Sequence, residues 1–227
     1  MDENDEEKNG YQLFKCLVFD TKLSGESDQT YHLSEGDWYW VEDDYVLGMG
    51  NYLDGLWKST SLPNFQHSNE GKYNDAVEKT HTEQFLCLDG KNIAPSGQSA
   101  IEPCDLCSSP NQKATFTHIK RSTFSQQLSH LFNQGLNSAE AIRMLPNSLE
   151  KLTSLVNDAN ESADVSFAVP SSSDRFEVKY AIITHKNPDD KSDNLPFFSR
   201  ISLMRTLKQL QLMGLDCVYE FIRDKNK

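Results

Sequence analysis

Tyr45, Met49, Tyr52, Leu53, Leu56 and Trp57 fall at i, i+4, i+7, i+8, i+11 and i+12, the spacing of one apolar helix face, with Asp43 or Asp44 placed to cap it. The pattern before them has a shorter period. Tyr11 to Thr21 alternates weakly as a strand does, and Thr30 to Val41, interrupted by Glu35-Gly36, predicts a hairpin. Helical spacing returns from Tyr73 to about Glu83 and in Phe124, Leu128, Leu131 and Phe132, with Gly135 as a stop. Two short helices follow on either side of Pro146, and a strongly apolar one runs from Ser199 to Met213 ahead of Gly214. Strands are predicted at 85–89, 100–106, 114–120, 176–184 and 217–222, and Ser59 to Gly71 and Ser162 to Asp174 predict loops. The pattern therefore predicts an α+β fold with a mixed central sheet flanked by helices. Its expected parts are an acidic, disordered tail over 1–10, an N-terminal β-rich subdomain with one helix over 11–71, and an α/β core over 72–227.

At 227 residues and 37% apolar, the chain is long enough to bury a sizeable core. Nowhere do 18 apolar residues run together, and the acidic start Met1-Asp-Glu-Asn-Asp-Glu-Glu7 is the opposite of a basic leader, so the expected location is cytoplasmic. Five cysteines, an odd number, predict reduced and structural thiols. Cys104 and Cys107 have CxxC spacing, but no second pair exists to complete a zinc site. The motifs of dinucleotide, nucleoside-triphosphate and zincin chemistry are absent.

A formal net charge of -12 argues against bulk attraction to nucleic acid, which rests on Lys and Arg neutralising phosphates. The charge is not uniform, however. No Asp or Glu occurs from Leu106 to Ala139, while Lys113, His118, Lys120, Arg121 and His130 all fall inside that window.

Asp105 closes the strand expected at 100–106, and His118 and Lys120 share one face of the next because strand side chains alternate. Cutting a phosphodiester requires carboxylate oxygens to hold a divalent ion and a cation to offset charge developing on the phosphoryl group. Asp105 is the expected metal ligand, Lys120 the expected charge stabiliser and His118 an assisting ligand or proton relay. Glu78, on the helix before, is an optional second carboxylate. Lys113, Arg121, Gln127 and His130 are the expected nucleic-acid contacts, with Mg2+ as cofactor. In enzymes built this way an acidic residue precedes the lysine by two, and His118, a poor ligand for Mg2+, stands there.

Glu102-Pro-Cys-Asp-Leu106, Lys120-Arg-Ser-Thr-Phe-Ser-Gln-Gln-Leu128, Leu195-Pro-Phe-Phe-Ser-Arg-Ile-Ser-Leu203, Leu33-Ser-Glu-Gly-Asp-Trp-Tyr39 and Tyr73-Asn74 resemble the bacterial family known as "sporadically distributed protein". Members are longer, so the resemblance implies a C-terminal half or short form. The family's patchy occurrence implies bacterial anti-phage defence. The element order from residue 72 resembles the restriction-endonuclease-like core. The leading expectation is a metal-dependent nuclease or a degenerate nucleic-acid-binding relative. The alternative is a non-catalytic protein-interaction or sensor module of a defence system, joined to a protein partner or to a missing N-terminal half.

Overall fold

The computed structural model describes residues 15, 17, 19–23, 29–163, 166–171 and 174–226; the tail expected over 1–10 and the start of the first expected strand lie outside them. The chain divides into two compact units, Met1–Asn51 and Tyr52–Lys227.

In the first unit, β1 (Phe19–Leu23), β2 (Gln29–Ser34) and β3 (Asp37–Val41) form an antiparallel meander in that order. Glu35 and Gly36 both take positive φ, 53° and 89°, the pair that a tight hairpin turn with right-handed strand twist requires. The helix predicted around Tyr45 is α1 (Asp43–Leu56), which opens on Asp43 and Asp44 where its dipole favours negative charge.

The second unit is built on a five-stranded mixed sheet of β4 (Leu86–Cys87), β5 (Leu106–Ser108), β6 (Thr115–Arg121), β7 (Glu177–Thr184) and β8 (Asp216–Arg223), in chain order across the sheet. β4, β5 and β6 are antiparallel to one another, and β6, β7 and β8 are parallel. The parallel steps need crossovers. These are α3 (Ser125–Met144) with α4 (Pro146–Ala163), and then α5 (Phe197–Leu212). On one face Tyr73 and Val77 of α2 (Glu70–Thr80), with Leu62 and Phe65, bury against Leu106, Ile119, Ala181, Ile183 and Ile222. On the other, Phe132 of α3 meets the Tyr180 ring edge-on at 5.4 Å. From Tyr180 to Ile183 β7 is consequently buried on both faces and reads as an apolar run, while Glu177 and Lys179 still alternate with buried neighbours.

Segment 59–71, where the sequence suggested a loop or boundary, is joined with the residue before it to β8. Lys58 N–H donates to Tyr219 O and Phe65 N–H to Arg223 O, each at 2.9 Å. The structure also differs from expectation at residues 100–105, which lie outside the strand, and at Gly135, which does not end a helix: α3 continues to Met144, just before Pro146.

The reason for Gly135 is a close approach. A Cβ there would lie 2.6 Å from Tyr180 Cε1, and that ring is fully buried with its hydroxyl donating to Phe132 O at 2.9 Å. Helix propensity favours alanine over glycine by about 1 kcal/mol, but overpacking of a closed core costs about 1–3 kcal/mol. Gly135→Ala should therefore be net destabilising by up to about 2 kcal/mol in denaturant unfolding. Gly55→Ala, where the added Cβ meets nothing within 4 Å, should be stabilising. A stable Gly135→Ala would mean that Tyr180 moves freely.

Candidate metal centre

Three carboxylates converge where β4 and β5 meet the loop between them. Asp89 sits in the turn after β4, where Gly90 takes a φ of 72°. Glu102 and Asp105 lie on the extended run into β5. Asp89, Glu102 and Asp105 each present an oxygen atom, and these atoms all lie within 4.8 Å of one another.

Each group is held by named donors. Asp105 leaves the β5 ladder at a bend, so its side chain replaces a backbone acceptor: Oδ2 accepts Ile119 N–H of β6 at 2.6 Å, and the Asp105 N–H donates to Thr117 O. Glu102 Oε1 accepts the Gly90 N–H, and its Oε2 accepts Gln134 Nε2 of α3 at 2.5 Å. The Asn74 amide of α2 donates to Asp89 Oδ2 at 3.0 Å and to Asp105 Oδ1 at 3.2 Å. Elements from both sides of the sheet thus fix the trio.

Burial raises the Asp105 carboxyl to about 7; the Ile119 N–H opposes this, and the negative charges of Glu102, Asp89 and Glu70 add to it. Glu102 is also raised, first by burial and then by Asp89, against the Gly90 and Gln134 donors. These are the conditions that a divalent cation relieves by replacing lost hydration and cancelling like charge. The donors are all oxygen, the set that Mg2+, Mn2+ or Ca2+ takes.

The residues expected from the sequence are distributed as follows. Asp105 is in the trio. Lys120, at the end of β6, forms an ion pair with Glu70 Oε2 at 2.9 Å, and Glu70 Oε1 accepts the Arg121 N–H at 2.6 Å. Glu70 and Asn74 are one turn apart on α2, so a single helix face holds both Lys120 and Asp105. Glu78, one turn further, is outside the trio and accepts the Cys87 N–H at 2.8 Å. His118 is also outside it: the ring is fully buried, burial lowers it to about 3, and neither nitrogen has a hydrogen-bond partner among the described residues.

Among the expected nucleic-acid contacts, Arg121 bonds Asp224 at 2.7 Å and lies over the Phe65 ring at 4.9 Å. Lys113 pairs with Asp216 at the start of β6, roughly 20 Å along the strand from Lys120 at 3.3 Å per residue. Gln127 is exposed on the first turn of α3. His130 lines a cleft of about 450 Å³ together with Lys91, Asn92, Glu102, Asn133 and Gln134, so the cleft opens directly onto one member of the trio. Cys104 and Cys107 are wholly buried and their thiols are raised by burial, which keeps them protonated.

Asp89, Glu102, Asn74 and Glu70 were not chosen from the sequence as site residues. Signals existed: Asp89-Gly90 is a turn pair, and Glu102 and Asn74 lie in the quoted motifs. What was absent was any local rule that brings a turn, a loop and a helix to one point.

A family described as "Family of unknown function (DUF6119)" matches residues 1–223. No curated protein and no solved structure matches the chain.

Proposed function

The chain belongs to the family of unknown function DUF6119, and from that premise and the acidic centre we propose that it is a divalent-cation-dependent phosphodiesterase acting on nucleic acid. The observation that carries the reading is the carboxylate trio, with Asp105 nine-tenths buried, at the strand ends beside the only lysine on β6. Asp89, Glu102 and Asp105 would hold the cation, with Mg2+ or Mn2+ as the hard ion suited to three oxygens. When bound, such an ion polarises a phosphoryl oxygen and acidifies water. Lys120 offsets charge gathering on the phosphate. Its pair with Glu70 is about one-third exposed on the lysine side, and pairs of that kind contribute at most about 1 kcal/mol, so the ammonium is free to exchange partners. Glu102 and Asp89 supply the oxygens that the residue two before the lysine does not. A restriction-endonuclease-like core is part of this proposal and draws support from the order α2, β4, β5, β6, α3, β7 and the strand order. The biological setting proposed with it, bacterial anti-phage defence, rests on the resemblance of the quoted motifs.

The test is cleavage of single- and double-stranded DNA and RNA with Mg2+ or Mn2+, and with a chelator. Cleavage is expected to need the cation, to vanish in Asp105→Asn and to fall by about 10²–10³ in Lys120→Ala, as for loss of one charge-stabilising donor. Arg121→Ala, which removes the bond to Asp224, should leave turnover largely intact in the folded fraction. Cleavage that survives the chelator would sink the reading.

A second reading, a non-catalytic module that binds a protein partner, has its own observation. Trp38, Tyr39 and Trp40 on β3 are each about half exposed, and this edge strand is flanked by Glu35, Asp37, Glu42, Asp43 and Asp44. Absence of cleavage under every cation, together with full folding, would favour it. Among the described residues no helix is long and apolar enough to cross a membrane.

A further inference from the structure

Asn74 is entirely buried, and its side chain has an unequal balance of hydrogen bonds. Both bonds formed by its amide nitrogen go to metal-site carboxylates, Asp89 Oδ2 at 3.0 Å and Asp105 Oδ1 at 3.2 Å. Its oxygen, Oδ1, is buried without a hydrogen-bond partner among the described residues. Buried polar atoms are nearly always satisfied, so an orphan carbonyl on a side chain whose nitrogen reaches two of the three carboxylates calls for a missing counterpart. The amide nitrogen acts here as a neutral substitute for a cation: it gives two acceptors a shared positive pole and holds Asp89 and Asp105 together.

A cation among the three carboxylates takes over that role. The nitrogen would then face the ion with its hydrogens, which is repulsive, whereas the oxygen would face it with a lone pair. The two ends of a side-chain amide are nearly the same size, so turning about the last torsion exchanges them within one volume. After the turn, Oδ1 stands where Nδ2 stood, about 3 Å from two of the coordinating carboxylates, at the distance between oxygens that share one ion. Asn carbonyls are ordinary ligands of hard divalent cations. The rest of α2 is anchored: Tyr73 and Val77 bury in the core, and Glu70 holds Lys120 and the Arg121 N–H. The side chain can therefore turn without the helix moving.

We propose that Asn74 is the fourth protein ligand of a divalent cation held by Asp89, Glu102 and Asp105, its amide turning over when the ion enters. This rests on the metal-centre reading above. The substrate-independent consequence is a site that stays assembled without metal, because the amide bridges two of the carboxylates until the ion replaces it.

The direct test is the crystal structure of the full chain grown with Mn2+, the ion located by its anomalous scattering, alongside Mn2+ binding by calorimetry. An ion on the three carboxylates with the Asn74 side chain within about 2.0–2.6 Å is the expected result. Asn74→Leu, of similar volume, should then bind Mn2+ about 10–100-fold more weakly, the range seen when groups supporting a metal are removed. Asn74→Asp should bind at least as tightly as wild type, which keeps the test open if the leucine variant does not fold. An ion on the carboxylates with Asn74 still about 3 Å from Asp89 and Asp105 and out of contact with the ion overturns this inference and leaves the metal centre standing. No bound Mn2+ in wild type, by either method, overturns both.

Discussion

Asp105→Asn is expected to make the metal-free protein about 4 kcal/mol more stable than wild type at pH 8 and to leave it nearly unchanged at pH 4. The carboxyl is held up to about 7 by burial and by neighbouring negative charge, against an ordinary value near 3.8. The unfolded chain therefore releases this proton near pH 4, and the folded chain keeps it until about 7. Between those values the folded state binds more protons, so stability falls as pH rises, and the loss is complete above 7. Asparagine does not titrate. Its oxygen still accepts the Ile119 N–H, and Asn74 keeps its bond to Asp89. Divalent cations should close more than half of the gap. Wild type gains about 2.7 kcal/mol at an ion concentration a hundred times Kd, whereas the variant gains little. Urea unfolding at several pH values, with a chelator and with Mg2+ or Mn2+, measures both effects. A variant less stable than wild type at every pH without metal would mean that the carboxylate is not strained by its surroundings.

His118→Leu should be stabilising, most of all in acid. Burial lowers the imidazole to about 3, while the unfolded chain takes up this proton near 6.5. From 6.5 down to 3 the unfolded state binds more protons, and this group alone costs the folded protein about 5 kcal/mol across that window. Leucine has a similar volume and no proton to gain, so this cost should disappear. At pH 8 a gain of about 1–3 kcal/mol should remain, because two unpartnered ring nitrogens are removed from the core. His118 and Asp105 act with opposite sign over overlapping windows, so the wild-type profile between pH 4 and 6.5 should be flat, with each single variant uncovering the slope of the other. His118→Glu, which would bury a further carboxylate, should be strongly destabilising. A His118→Leu profile that runs parallel to wild type between pH 4 and 6.5 would remove the buried imidazole from the account. The buried ring also implies that a pH-rate limb near 6.5 does not arise from His118.

What could be read in the sequence was what neighbouring residues settle among themselves. The hairpin turn at Glu35-Gly36, the helix opening at Asp43 and Asp44, the break at Pro146 and the helix stop before Gly214 are contests between backbone geometry and a few adjacent side chains. The α+β class with a mixed sheet follows from the periods alone. Asp105 and Lys120 were visible because each stands at the end of an expected short strand.

Tertiary contacts decided the rest. Gly135 has the local signature of a helix stop, yet the helix passes through it because Tyr180, 45 residues later, needs the space of a missing Cβ. Alternation places His118 and Lys120 on one side of β6 but does not say where water ends, and the structure buries the first and leaves the second about one-third exposed at the strand end. Lys113 and Lys120 fall in one basic window of sequence and at opposite ends of one strand in space. Asp89, Glu102 and Asn74 belong to a turn, an aperiodic loop and a helix. Period and propensity act over a few residues, while the distances between these three depend on how α2 and the loop lie across the sheet. The sequence determined which residues could carry metal and phosphate chemistry, and only the packing of distant segments decided which of them meet.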